Sequence, residues 1–221
     1  ARLALAESGS ARSDPLLTLG RRDLARALES FDESEAQAIL DRLFGTLSID
    51  AVLSEVVVPY LHELGDRWEG GDVSIVQEHF ASNVIRGRLL ALARGWGRGG
   101  GPLALLACVE GEQHDLPLVV FGLLLREHGW RIAYFGANTP LESLARAVRE
   151  MKPSAVIVSG TTKGALEPHR AGLEVIGRTA DLYIAGPDAS ENLAQEVGAT
   201  YLDGNIFRAA GLVADRHTAK A

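Results

Sequence analysis

The apolar residues of this chain keep two different periods, and the change comes near residue 100. From residue 20 to about residue 97 they recur every three or four positions, the spacing of amphipathic helices, and no convincing strand interrupts them. Leu24 and Leu28 predict a helix over residues 23–30, and Ala38, Ile39, Leu43 and Phe44 predict a second over residues 34–47. Ser48, followed by Asp50, is placed to cap a third helix that runs through Val52, Leu53, Val56, Val57, Tyr60, Leu61 and Leu64 to about Trp68. Gly70-Gly71-Asp72 breaks that pattern. Ser74-Ile-Val-Gln77 has the form of a capping box and opens a fourth helix that runs to about Arg94. Four helices with short connections predict a bundle.

The run Gly95-Trp-Gly-Arg-Gly-Gly-Gly101 reads as a linker. Beyond it, short apolar runs at 103–109, 131–135, 155–159 and 182–185 alternate with helical segments at 116–128, 140–151, 165–178 and 189–197. A last short strand is expected near Thr200-Tyr-Leu202. Strands alternating with helices predict a parallel sheet covered on both faces. The expected fold class is α/β: an N-terminal four-helix bundle over residues 20–97, then a Rossmann-like (flavodoxin-like) doubly wound parallel sheet over residues 98–221. Residues 1–19, rich in Ala, Ser and Arg around Pro15, read as a linker or arm. There is no internal repeat.

With 47% apolar residues among 221, the chain can build a real core. Its formal charge of −7 and the lack of any basic run argue against binding nucleic acid by itself. A single cysteine, Cys108, excludes a disulfide framework and a cysteine-based zinc site and fits a reducing cytoplasm. No apolar stretch is long enough to span a bilayer, and no signal peptide is visible.

The candidate chemistry collects where the predicted strands end. The run Leu103–Cys108 closes in the polar loop Glu110-Gly-Glu-Gln-His114, and helical periodicity resumes at Leu116. Open α/β sheets bind their ligands at such a place. Glu112 stands two residues before His114, so in an extended loop both side chains face the same way. The carboxylate would accept a hydrogen bond from one imidazole nitrogen and leave the other aimed outward at a metal. The loops Gly136-Ala-Asn-Thr-Pro140, Ser159-Gly-Thr-Thr162 and Ala185-Gly-Pro187 should lie on the same sheet edge, where small residues and hydroxyls leave a slot for a polar ligand. Each of these loops, taken singly, also reads as a plain tight turn.

Glu112-x-His114-x-x-Pro117, followed at a distance by Ser159-x-Thr161 and Ala185-Gly186, resembles the signature of cobalamin-binding domains, Asp-x-His-x-x-Gly, Ser-x-Leu and Gly-Gly. Here Glu112 replaces Asp, Pro117 replaces Gly and Ala185 replaces the first Gly of the pair. The resemblance implies that His114 is the lower axial ligand to cobalt, with Asp115 beside it in the cofactor site. It also implies that the dimethylbenzimidazole tail lies in a slot lined by Ser159, Thr161 and Gly186. In the helical half, Trp68 is followed after nine residues by Glu78-His79, and this pattern resembles the CarH/LitR family of cobalamin-dependent light sensors. The phrases Glu110-Gly-Glu-Gln-His114 and Tyr134-Phe-Gly-Ala-Asn-Thr-Pro140 resemble it too. That resemblance, over about residues 20–205, implies that Trp68, Glu78 and His79 pack around the adenosyl group of adenosylcobalamin; spacing alone also fits a half-buried Trp and a solvated Glu-His pair.

The implied activity is that of a light-sensing module of a transcription regulator, not an enzyme. Light breaks the cobalt–carbon bond, packing between bundle and sheet domain changes, and a homo-oligomer, dimer or tetramer, rearranges. The family's DNA-binding part is an N-terminal MerR-type domain, which residues 1–19 are too short to form, so either it was removed or the protein acts through a partner. Some relatives have a His after the Trp that takes the upper cobalt site after photolysis; here the residue is Glu69, and His79 is the nearest substitute. Two other readings stand beside this one: a corrinoid carrier of a methyltransferase system, for which methylcobalamin is the expected form, and a scaffold that holds cobalamin only as a structural ligand.

Overall fold

The computed structural model describes residues 15–219. The chain divides into two compact units, one ending at Val84 and the other beginning at Ile85. The division falls inside a helix, not at the glycine run where the sequence suggested a linker.

The first unit is helical: α1 Pro15–Glu29, α2 Glu33–Thr46, α3 Ile49–Val52, a π-helical turn Leu53–Val57, α4 Val58–Glu69, and the beginning of α5 Ile75–Leu92. Pro15 at the head of α1 has no N–H to leave unsatisfied, so residues 15–19 are helical rather than part of an arm. Residues 1–14 lie outside the described residues. The caps form as their spacing requires. Asp32 accepts from Glu35 N at 2.9 Å and Ser48 from Ala51 N at 3.2 Å. Ser74 and Gln77 close a reciprocal capping box, with Gln77 N donating to Ser74 Oγ and Ser74 N donating to Gln77 Oε1. The third predicted helix is continuous but carries the π turn. Pro59 cannot donate to the carbonyl four residues back, and its ring crowds that carbonyl. The ladder slips by one residue there, and Val58 N bonds to Leu53 O. Leu24, Leu28, Ile39, Leu40, Leu53 and Val56 fill the core of this unit.

The second unit contains the rest of α5 and a five-stranded sheet: β1 Leu103–Val109, β2 Arg131–Thr139, β3 Ala155–Ser159, β4 Leu182–Ala185 and β5 Ala199–Leu202. The order is β2-β1-β3-β4-β5, and every pair is parallel. The helices are α6 Leu116–Glu127, α7 Leu141–Met151, α8 Arg170–Gly177, α9 Glu191–Val197 and α10 Ile206–Thr218, with a 3-10 turn Glu167–His169 ahead of α8. Strands β1 and β3 are buried on both faces, and both read as nearly unbroken apolar runs for that reason. The chain turns one way from β1 to β2 and the other way to β3, so a crevice opens beyond the carboxyl ends of β1 and β3.

Three further features of the second unit differ from expectation. The second strand continues to Thr139, with register shifts against β1 after Leu106 and after Ala107. The helix α10, which packs on α6 and buries Ala209, Ala210, Val213 and Ala214, was not among the predicted elements. The glycine run is docked against the unit. Trp96 is buried, its carbonyl accepts from Ile132 N at 2.9 Å, and a side chain at Gly101 would strike Gly129 O. Among the described residues no helix is long and apolar enough to cross a membrane.

Candidate functional site

The β1–α6 loop is built around one buried carboxylate. Glu112 is fully buried, and four donors meet it. Its Oε1 accepts from His114 N at 2.8 Å and from the His114 ring at Nδ1, 2.6 Å away. Its Oε2 accepts from Thr161 N at 2.7 Å and Thr162 N at 2.6 Å, at the end of β3. Burial opposes ionisation of Glu112, but the backbone N–H groups of His114, Thr162 and Thr161 together with the imidazole outweigh it and bring the carboxyl down to about 2. An ionised carboxylate at Nδ1 requires a proton on that nitrogen, so in the neutral imidazole the lone pair is on Nε2. The His114 side chain is 65% exposed while its carboxylate partner is enclosed.

Neighbouring loops hold this arrangement. Asn138, in the left-handed region at φ 49°, accepts from Gly111 N at 2.7 Å, and its own N–H donates to Glu112 O at 2.8 Å. Asp188 receives Gly164 N at 2.6 Å and Leu166 N at 2.7 Å, which fixes the far end of the loop that Glu112 grips at Thr161 and Thr162. Gly186 has φ +103°, and a Cβ there would lie 2.3 Å from Gly160 O, so only glycine lets β4 exit beside β3. Cys108, at the end of β1, is buried, and burial next to Asp115 and Glu112 pushes its thiol up to about 12.

The structure thus brings Glu112, His114, Thr161 and Gly186 to one sheet edge, with buried Ser159 closing β3 there. Asp115 points inward. It is almost fully buried, and its oxygens are engaged by Arg86 and Tyr134. In the helical unit, Trp68 is the last residue but one of α4 and is 44% exposed. The turn after it is tight: Gly71 N donates to Trp68 O at 3.0 Å, and Asp72 N and Val73 N both donate to Arg67 O. Glu78 lies in the first turn of α5 and accepts from Ser82 Oγ at 2.6 Å, while His79 is exposed with its ring 3.6 Å from Glu78. Arg86, Tyr134 and Asp188 were not anticipated as parts of the site, and Asn138 and Thr162 only as members of the loops at its edge. Tyr134 lies inside a quoted phrase, and Arg86 stands with Arg88 between the apolar pairs Val84-Ile85 and Leu89-Leu90, but only the fold says what each reaches.

One imidazole is not a complete metal site. Among the described residues no group of three or more His, Cys, Asp and Glu side chains could hold an ion. An oriented imidazole with a free Nε2 fits a metal whose other positions are filled by a macrocycle, as in haem proteins. Cobalt in a corrin meets that condition.

Comparison with known proteins agrees with this chemistry. Residues 21–93 match the model of one B12 binding domain family, and residues 102–184 match the model of a second. The two matches end and begin on either side of the glycine run. The chain is 29% identical over 178 residues to the HTH-type transcriptional repressor CarH of Myxococcus xanthus, covering 79% of this chain and 60% of that protein. It is 19% identical over 187 residues to the dimethylamine corrinoid protein of Methanosarcina barkeri, covering 80% of this chain and 88% of that protein. The fold is similar to the solved structure of the Methanosarcina barkeri monomethylamine corrinoid protein, with a TM-score of 0.74, 14% identity, and coverage of 90% of this chain and 99% of that one. This chain therefore spans about three-fifths of the length of CarH.

Proposed function

From a cobalamin-binding protein made of two B12 binding domains, we propose the sensory part of a light-responsive transcription regulator, loaded with adenosylcobalamin. When bound, that cofactor would supply a cobalt ion able to take an imidazole ligand and a cobalt–carbon bond sensitive to visible light. His114 offers Nε2 to the metal, and Glu112 fixes the ring and keeps the proton on Nδ1. Ser159, Thr161 and Gly186 are assigned to the slot for the nucleotide tail. Trp68, Glu78 and His79 are assigned to the upper ligand, and loss of that ligand is proposed to change the packing and so the state of a homo-oligomer. DNA binding is assigned to a segment of MerR type outside this chain or to a partner.

The observation that carries the choice is Trp68. A large indole left 44% exposed at the end of α4, beside the turn that leads to Glu78 and His79, offers apolar surface for a bulky upper ligand. The similarity to CarH over most of this chain supports the same choice. The second reading, a corrinoid carrier that shuttles methyl groups, is favoured by how much of the dimethylamine corrinoid protein the chain matches. A carrier must open its upper face to partner enzymes and gains nothing from a Trp there.

The deciding experiment adds adenosylcobalamin in the dark and records the visible spectrum and the mass by light scattering, then repeats both after green light. A photoproduct accompanied by a change of mass supports the sensor. Stable binding with no change of mass on illumination rejects it in favour of the carrier or the scaffold.

A further inference from the structure

Asp115 occupies the N-cap position of α6 but does not cap it. Its backbone is in the αR region, at φ −92° and ψ −9°, and its side chain turns away from the helix end. Both oxygens go elsewhere. Oδ1 accepts from Arg86 Nε at 3.0 Å, and Oδ2 accepts from Arg86 Nη2 at 2.6 Å and from Tyr134 Oη–H at 2.5 Å. The contact with Arg86 is bidentate, which fixes direction as well as distance. Tyr134 is braced in turn. Its ring meets Trp96 edge-on, with centroids 5.9 Å apart, and Trp96 lies so close over Gly122 of α6 that a Cβ there would come within 2.6 Å of the indole.

The backbone of Asp115 starts α6, its carbonyl accepting from Leu118 N and Val119 N. The residue next to His114 is therefore held at its side chain by α5 and β2 and at its main chain by α6. On the other flank Glu112 holds the His114 ring and N–H. Asp115 is buried but the Arg86 side chain is 40% exposed, so solvent screens the pair while the carboxylate is desolvated; the contact adds little stability, and its surer effect is to define one geometry. An N-cap Asp already has an inexpensive role in capping. Its diversion to a guanidinium and a phenol, one residue from an exposed imidazole, requires another use.

We propose that Arg86 and Tyr134, acting through Asp115, are positioning residues for His114: they fix the main chain at the ligand so that Nε2 is presented in one orientation to the cobalt. This rests on His114 being the ligand. Glu112 sets the tautomer and the tilt of the ring, and the Arg86–Asp115–Tyr134 clamp sets where the ring starts from. Outer residues that orient a metal-binding His typically matter about 10- to 100-fold to the metal bond.

The test loads the protein with cob(II)alamin and uses electron paramagnetic resonance with all histidines labelled with 15N. A coordinating 15N-imidazole splits each cobalt line into a doublet, whereas a 14N base or tail gives a triplet. The unsubstituted protein should give the doublet; a triplet there rejects His114 as the ligand, whatever the clamp does. Given the doublet, Arg86→Lys, which cannot bind in two-point fashion, and Tyr134→Phe, which removes one hydrogen bond, should each convert a measurable share of the signal to triplet or base-free form. The expected weakening of the imidazole–cobalt bond for Arg86→Lys is about tenfold. In the cofactor-free protein, the His114 ring resonances should broaden or divide into two sets in the same variants. If both variants keep a pure doublet and a single set of ring resonances, even with a lowered melting temperature, the clamp serves the fold alone and the proposal is overturned.

Discussion

Glu112 is the residue on which the pH behaviour of the site turns. Its folded carboxyl is lowered from an ordinary 4.5 to about 2, so the unfolded chain takes up the proton first as pH falls. The stability it contributes is complete above about pH 4.5 and is lost as pH falls from there toward 2. The size is on the order of 3 kcal/mol for a shift of this span. Urea unfolding of the cofactor-free protein at a series of pH values should show this loss, and Glu112→Gln should show a flatter profile over the same window; parallel profiles would mean that the four donors do not stabilise the ionised form. His114→Ala should behave differently. It removes one of four donors to Glu112 at an exposed position, so the fold should lose only about 1 kcal/mol. The visible spectrum of bound cobalamin should at the same time lose the protein imidazole. Both residues were legible from the i, i+2 spacing in a strand-ending loop. The donors Thr161 and Thr162 were not, because main-chain N–H groups leave no mark in a sequence and stand 49 and 50 positions away. Nor was the inward turn of Asp115, which is decided by Arg86 on α5 and Tyr134 on β2.

At the scale of elements, the sheet edge depends on two glycines that differ in kind. Gly186 combines φ +103° with a carbonyl 2.3 Å from where a Cβ would stand, and a backbone atom cannot step aside. The three atoms nearest to a Cβ at Gly160 belong to the Leu166 side chain, the first at 2.6 Å, and that side chain can shift at the cost of some packing. Gly186→Ala should therefore destabilise the protein by about 3 kcal/mol, and Gly160→Ala by about 1–2 kcal/mol. Urea midpoints of the two variants check the order, and equal losses would place the strain elsewhere. Elements with strong periods or clear caps were readable: α5 opens at the Ser74–Gln77 box, and β1, β3 and β4 match their apolar runs. Elements set by tertiary fit were not. The π turn answers to Pro59 within an otherwise regular helix, and the extension of β2 depends on pairing with β1.

At the scale of the whole chain, fold and charge point to different duties for different parts of the protein. The crevice at the β1–β3 switch point offers an imidazole, hydroxyls and main-chain N–H groups, a surface suited to a large polar cofactor. Duplex DNA asks for something else: a basic face that neutralises several phosphates at once. Lys and Arg number 22 against 29 Asp and Glu, a net charge of −7, and many of the arginines are already committed to carboxylates, as Arg21 is to Glu63, Arg67 to Glu29 and Arg170 to Glu167 and Glu196. The electrostatic term that drives non-specific association is therefore repulsive for this chain, and cobalamin adds no compensating positive face. The chain alone, with or without adenosylcobalamin in the dark, should leave the mobility of duplex DNA unchanged at physiological salt. Retardation that fell steeply with added salt would reveal a basic face and would move DNA recognition into this chain. Without it, a regulator of the proposed kind would have to reach DNA through another segment or another protein.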